Sequence, residues 1–283
     1  MKINQIVTYV GFSVLVSACG DNTTSQEHLA KAKSSIEQHD VSASEIALKN
    51  ALKIDGKNAE ARFLLGQLYL SQGNSLTAVK ELERANSLKY DKNSTVPALA
   101  RAYLIAEDYD GVLTLAESAN SLAIDSKIKY LAFKSIAELR SGEADLAASS
   151  VQQLNKLSDS HSYTLLANAY LAFSNANNDE ALALVLKALS VDPKNIDALL
   201  LKGHVEFGVG SFTDAVVSYK KYNQAQPKIG VTKLFIAQAL LQNKEYIEAE
   251  KYADEILASV KNQPFASYVK AVAMFEKKDF NSA

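Results

Sequence analysis

The chain has no tryptophan, and its 283 residues include one cysteine, four prolines and 11 glycines. A single cysteine excludes an intramolecular disulfide and any zinc site built on several thiolates. So few prolines and glycines argue against a turn-rich β protein and for long helices. No sign of charge dominates: 30 Lys and Arg face 32 Asp and Glu, a formal net charge of −2. That balance lacks the basic footprint of a nucleic-acid-binding domain. Long hydrophobic runs are scarce too. The mostly apolar stretch from Ile6 to Val16 falls short of the roughly 20 residues that a membrane-crossing helix needs. What remains is 48% hydrophobic, the composition of a folded chain rather than a disordered one.

The short apolar stretch follows Lys2 and ends at Ser17-Ala18-Cys19, so a basic start, an apolar core and small residues stand in the order of a secretory signal. Val16-Ser17-Ala18-Cys19 resembles the bacterial lipobox, in which the cysteine becomes the lipidated first residue of the mature protein. The resemblance implies a signal peptide over residues 1–18, lipidation at Cys19 and a small, polar, flexible tether over 19–25. Gly20, not Asp, follows the cysteine, and by the same resemblance this favours the periplasmic face of the outer membrane over the inner. The alternative is an ordinary buried or free cysteine.

The rest of the chain repeats itself. Ser44, Ala78, Val112, Ala147, Ala181, Ala215, Ala249 and Ala283 form a ladder of small or branched residues with a period of about 34. A second ladder, Ala32, Gly66, Ala100, Ser135, Ala167, Gly203, Ala237 and Ala271, keeps the same period except at Ala167, where Ser174-Asn175-Ala176-Asn177-Asn178 is read as a lengthened turn. Helix breakers fall between the ladders, at Gln72-Gly73-Asn74 and Gly142-Glu143, and between repeats at Asp192-Pro193-Lys194-Asn195.

Each unit resembles the tetratricopeptide repeat (TPR), a pair of antiparallel helices. The copy from Ala59 to Lys92 carries Leu65, Gly66 and Tyr69 on its first helix and Ala78, Leu82 and Ala85 on its second, and Pro193 and Pro227 stand at the closing proline position of other copies. The family's first-helix tryptophan is absent, and the copy around Ser135 matches weakly on its first helix. The resemblance implies an all-α solenoid over residues 26–283, a right-handed superhelix of about seven repeats plus the first helix of an eighth. Such repeats bury their apolar stripes only by stacking on neighbours. Phe280-Asn281-Ser282-Ala283 matches the start of second helices at Tyr246 and Phe212, so the array is expected to continue beyond Ala283; the alternative is that the last first helix is itself the cap.

Residues of chemistry are sparse. His28, His39, His161 and His204 fall in different repeats without metal-ligand spacing, and Gly208-Val209-Gly210 lacks the third glycine of a dinucleotide loop. There is no phosphate-binding loop and no nucleophile elbow. The expectation is a protein that is not an enzyme and carries no catalytic residue, metal or cofactor. Binding is the remaining class. In TPR proteins the first helices line a concave groove, and a helical wheel places Phe63, Gln67, Arg101, Leu104, Asn168, His204, Phe207 and Gln238 on that side. Aromatic rings and amides in that column suit an extended peptide or a protein surface, although the aliphatic members could equally pack against neighbouring repeats.

The segments Glu45–Lys53, Asn58–Leu70, Lys80–Ala85 and Pro97–Leu104 are similar to the opening repeats of the PEP-CTERM system TPR lipoprotein family. That resemblance implies a lipid-anchored scaffold whose partners are proteins or peptides of an envelope, polysaccharide or sorting complex. Two alternatives remain open at the level of sequence: a TPR region regulating a catalytic domain beyond Ala283, and a solenoid that binds polysaccharide directly.

Overall fold

The computed structural model describes residues 23–277, so Cys19, the signal segment and Phe280–Ala283 lie outside the described residues. Sixteen helices and no strand occur among the described residues. They come as antiparallel pairs: α1 (Ser25–Glu37) with α2 (Val41–Ile54), α3 (Ala59–Ser71) with α4 (Ser75–Ser87), and α5 (Lys92–Ile105) with two short helices, α6 (Tyr109–Thr114) and α7 (Ala116–Ala119), in the place of one. Then follow α8 (Ile124–Arg140) with α9 (Ala144–Leu157), α10 (Ser162–Ser174) with α11 (Asn178–Val191), α12 (Ile196–Gly208) with α13 (Phe212–Ala225), α14 (Val231–Gln242) with α15 (Tyr246–Ser259), and α16 (Pro264–Glu276). Substantial helix-on-helix packing joins elements that are neighbours in this stack.

Local chemistry sets the boundaries. Thr24 and Glu27 form a reciprocal capping box, and Asp40, Asn58, Asp108 and Asn195 each accept a hydrogen bond from a backbone N–H in the first turn that follows. Each such cap stabilises its helix by about 0.5–2 kcal/mol. The first helices end alike. Asn74 N–H donates to Tyr69 O at 2.8 Å, and the same six-residue closure joins Asp40 to Ser35, Asp108 to Tyr103, Glu143 to Glu138, Asn177 to Ala172, Ser211 to Glu206 and Glu245 to Leu240. This closure needs a left-handed residue at its corner. His39, Gly73, Glu107, Gly142, Ala176, Gly210 and Lys244 supply it, with φ between 58° and 84°.

That corner corrects the repeat register. It falls seven positions after Gly66, Ala100, Ser135, Gly203 and Ala237, and seven before Ala176 stands Ala169, not Ala167. The turn at Ser174–Asn178 is therefore not lengthened. Ala167 and Ala169 are both fully buried, so apolar pattern alone could not separate them.

The ladders are the places where helices cross. Ser44, Ala78, Val112, Ala147, Ala181, Ala215 and Ala249 are all fully buried, as are Ala32, Ala100, Ser135 and Ala237 in the first helices. At Gly66 a Cβ would lie 2.6 Å from Leu82 Cγ, and at Gly203 it would lie 2.6 Å from the Tyr219 ring. Ala271 is exposed; the segment that follows its helix lies outside the described residues.

The copy around Ser135 departs from the repeat pattern for a visible reason. Lys134 Nζ donates to Glu138 Oε1 at 2.6 Å and to Ser150 Oγ at 2.9 Å, so a buried polar lock replaces the Leu and Tyr of α3. Two repeats later Lys202, Glu206 and Ser218 make the same lock.

Candidate binding groove

The first helices of successive repeats face a shared hollow of about 570 Å³. Phe63, Gln67 and Leu70 come from α3, Pro97 and Arg101 from α5, Lys129 and Phe133 from α8, Tyr163 from α10, and Ile196 and Asp197 from the start of α12. The rings are braced. Phe63 stacks on Tyr90 with centroids 4.9 Å apart, and Phe133 meets Tyr163 edge-on at 5.5 Å. Lys129 Nζ sits 5.9 Å from the Tyr163 centroid and 2.6 Å from Asp125 Oδ2. Lys129, joined by His161 Nε2 at 3.0 Å from Oδ1, holds the Asp125 carboxyl below its usual range.

Arg101 is already engaged. Its Nε donates to both carboxylate oxygens of Asp197, at 2.9 and 3.0 Å, across 96 residues of chain. The two side chains are 14% and 16% exposed. Burial works against the Arg101 charge, and Asp197 more than offsets it, so the guanidinium is held protonated. Burial pushes the phenols of Tyr163, Tyr170 and Tyr222 up, that of Tyr170 to about 12; all three feel the Asp197 charge, with Arg101 opposing it at Tyr163 and Tyr222 and Arg140 at Tyr170. The chemistry available here is donation of hydrogen bonds and stacking on apolar rings.

A second hollow of about 190 Å³ is lined by Ile136, Leu139 and Arg140 of α8, Tyr170 and Phe173 of α10, and Leu201 and His204 of α12. His204 Nδ1 lies 2.8 Å from the Tyr219 hydroxyl, and its ring meets Phe235 edge-on at 5.0 Å. Burial, with a smaller push from the Arg140 charge, lowers the His204 pKa to about 4. The imidazole is neutral at pH 7.

The eight residues chosen from the sequence therefore divide. Phe63, Gln67 and Arg101 share the larger hollow, and His204 lines the smaller. Leu104 packs half-buried against the core. Asn168 exchanges amide hydrogen bonds with Asn155, at 2.9 and 3.3 Å. Phe207 meets Phe212 edge-on at 5.3 Å, and Gln238 is half-buried on α14. In the corrected register Tyr170, not Asn168, occupies the column of Gln67, Arg101 and His204, which is why the sequence reading missed it. Asp197 was missed because an acidic residue in a first helical turn is common. No group of three metal-ligating side chains occurs among the described residues, and no described helix is long and apolar enough to cross a membrane.

Residues 47–80 match the family model of the tetratricopeptide repeat. The chain is 22% identical over 279 residues to a DnaJ homolog subfamily C member 3 of Gallus gallus, covering 91% of this chain and 54% of that protein. It thus spans about half the length of that curated relative. A tetratricopeptide repeat protein from Parabacteroides merdae superposes with a TM-score of 0.53 at 16% identity, over 88% of this chain and 98% of that one. A chain of the APC/C hetero-tetramer Cut9-Hcn1 superposes with a TM-score of 0.57 at 15% identity, over 88% of this chain and 48% of that one. Helix pairing, repeat period and these superpositions agree: the chain has the all-α fold of a TPR-type solenoid.

Proposed function

We propose that the protein is a scaffold that holds a protein or peptide segment in the groove between Phe63 and Asp197, and that it does so at the bacterial envelope, tethered through Cys19. The observation that carries the binding half is the groove itself. Consecutive repeats place braced aromatic rings beside amide and cationic donors on one face. Rings anchor a segment by burial, and donors fix its direction through its backbone carbonyls. The envelope half is supported by the lipobox-like Val16-Ser17-Ala18-Cys19. The likeness to PEP-CTERM system lipoproteins adds a setting in exopolysaccharide production or exosortase-linked sorting.

A photo-crosslinking residue placed at exposed Gln67 should capture a partner from detergent-solubilised membranes, while the same residue at Ile247, 76% exposed on α15, should not. Capture from Ile247 and none from Gln67 would move the binding face elsewhere. Partners unrelated to secretion, sorting or polysaccharide production would remove the proposed setting. Cys19→Ser should release the protein from the membrane fraction; unchanged fractionation would overturn the tether.

A further inference from the structure

Two contacts join repeats that are far apart in the chain. One is the Arg101–Asp197 pair, from α5 to α12. The other is a loop contact: Ile229, before α14, lies against Gly73 in the α3–α4 turn, where an added Cβ would fall 3.2 Å from Ile229 Cγ1. We infer that the Arg101–Asp197 pair is a latch that holds the superhelix closed and limits how far the groove opens to a macromolecule.

Three features make this pair a latch rather than one more packing contact. It joins elements that are not neighbours in the stack, whereas substantial helix packing is confined to neighbours. In a solenoid each repeat touches only the next, so small rotations shared among the repeats between α5 and α12 can separate the limbs without breaking any core. The latch is also incompletely satisfied: Arg101 Nη2 is buried without a hydrogen-bond partner. A buried ion pair gains little over its desolvation cost unless all its donors are matched, so the closed form leads the open one by a margin that the loss of one charge reverses. Removing one partner should then open the structure, since the other charge would be left buried alone.

The test is a distance. In the full chain carrying Cys19→Ser, spin labels at Leu76→Cys and Lys228→Cys report the separation of the limbs from two exposed positions. At low salt the parent should give one short distance. Asp197→Asn should add a longer population, as should Arg101→Gln, since each leaves the other charge buried alone. The swapped pair Arg101→Asp/Asp197→Arg should restore the short distance, which a loss of packing alone would not allow. An unchanged distribution in both single variants overturns the latch. Should one of them fail to fold by circular dichroism, the other decides. The consequence for access rests on the scaffold reading of the groove, but the distance needs no partner and can fail independently of it. Access itself is read by Gln67→Cys, which a bulky maleimide should label several-fold faster in the Asp197→Asn background; equal rates would leave the groove ungated.

Discussion

Asn195 Nδ2 donates to Ser162 Oγ at 2.9 Å, and four repeats earlier Asn58 Nδ2 makes the same bond to Ser25 Oγ at 3.1 Å. Each serine hydroxyl in turn donates a hydrogen bond to the last turn of a second helix, at Ala188 O and Ala51 O, both 3.0 Å away. Each asparagine caps the next first helix through Oδ1, at 3.0 Å from Ala198 N and Ala61 N. One amide thus ties three helices together. Asn195 is 2% exposed, so Asn195→Ala should cost the cap and the hydrogen bond that Ser162 Oγ accepts, about 1–3 kcal/mol in all. Urea denaturation of the purified protein measures this; a loss under 0.5 kcal/mol would mean that the tie is ornamental.

Gly66 stands where α3 and α4 approach closely. A leucine there would have to displace the Leu82 side chain, whose Cγ would lie 2.6 Å from the new Cβ. Gly66→Leu should destabilise by roughly 1–3 kcal/mol or more. Gly56, where a Cβ would meet nothing closer than 3.7 Å, is the control: in thermal melts of the two variants Gly56→Leu should cost markedly less. Equal costs would contradict the crossing geometry.

The fold was legible because the crossing residues must be small and recur with the period, a constraint that shows in one-dimensional sequence. The corner residues were only partly legible. Glycine marks the left-handed corner at Gly73, Gly142 and Gly210, but His39, Glu107, Ala176 and Lys244 adopt it too, held by the closure that follows. Without Ala176 as a mark, Ala167 and Ala169 could not be told apart, and the groove column slipped by two positions in that repeat. The Arg101–Asp197 pair was not legible at all. Its 96-residue separation closes through accumulated small rotations between repeats, which no local pattern encodes.

Lys134 and Glu138 form a lock whose two members have unequal exposure: the Glu138 side chain is 4% exposed and the Lys134 side chain 23%. Glu138 Oε2 is buried without a partner. Lys134→Met should therefore leave an uncompensated buried carboxylate and cost about 3–5 kcal/mol. Restoring the pattern of α3 with Lys134→Leu and Glu138→Tyr together should recover part of that loss, because it removes both charges and refills the space, and should stay about 1–3 kcal/mol below the parent because the buried Ser150 hydroxyl loses its partner. Chemical denaturation of the single and double variants checks the contrast. A double variant as unstable as the single would show that the lock has no apolar substitute.

His204 gives stability a pH dependence above the range of the carboxylates. Its ring is held neutral between Tyr219 and Phe235, with a folded pKa of about 4 against an ordinary value of 6.5. The unfolded chain takes up a proton in this interval and the folded chain does not. The His204 contribution is therefore intact above pH 6.5, is lost as pH falls towards 4, and amounts to a loss on the order of 3 kcal/mol at the lower end. His204→Phe keeps an aromatic ring beside Phe235 and has no proton to gain, so its stability should fall less steeply between pH 6.5 and 4. It should also cost a constant amount at all pH values, since the Tyr219 hydroxyl loses its partner. Urea melts of both proteins across that range separate the two effects. Parallel curves would show that the imidazole is solvated rather than packed.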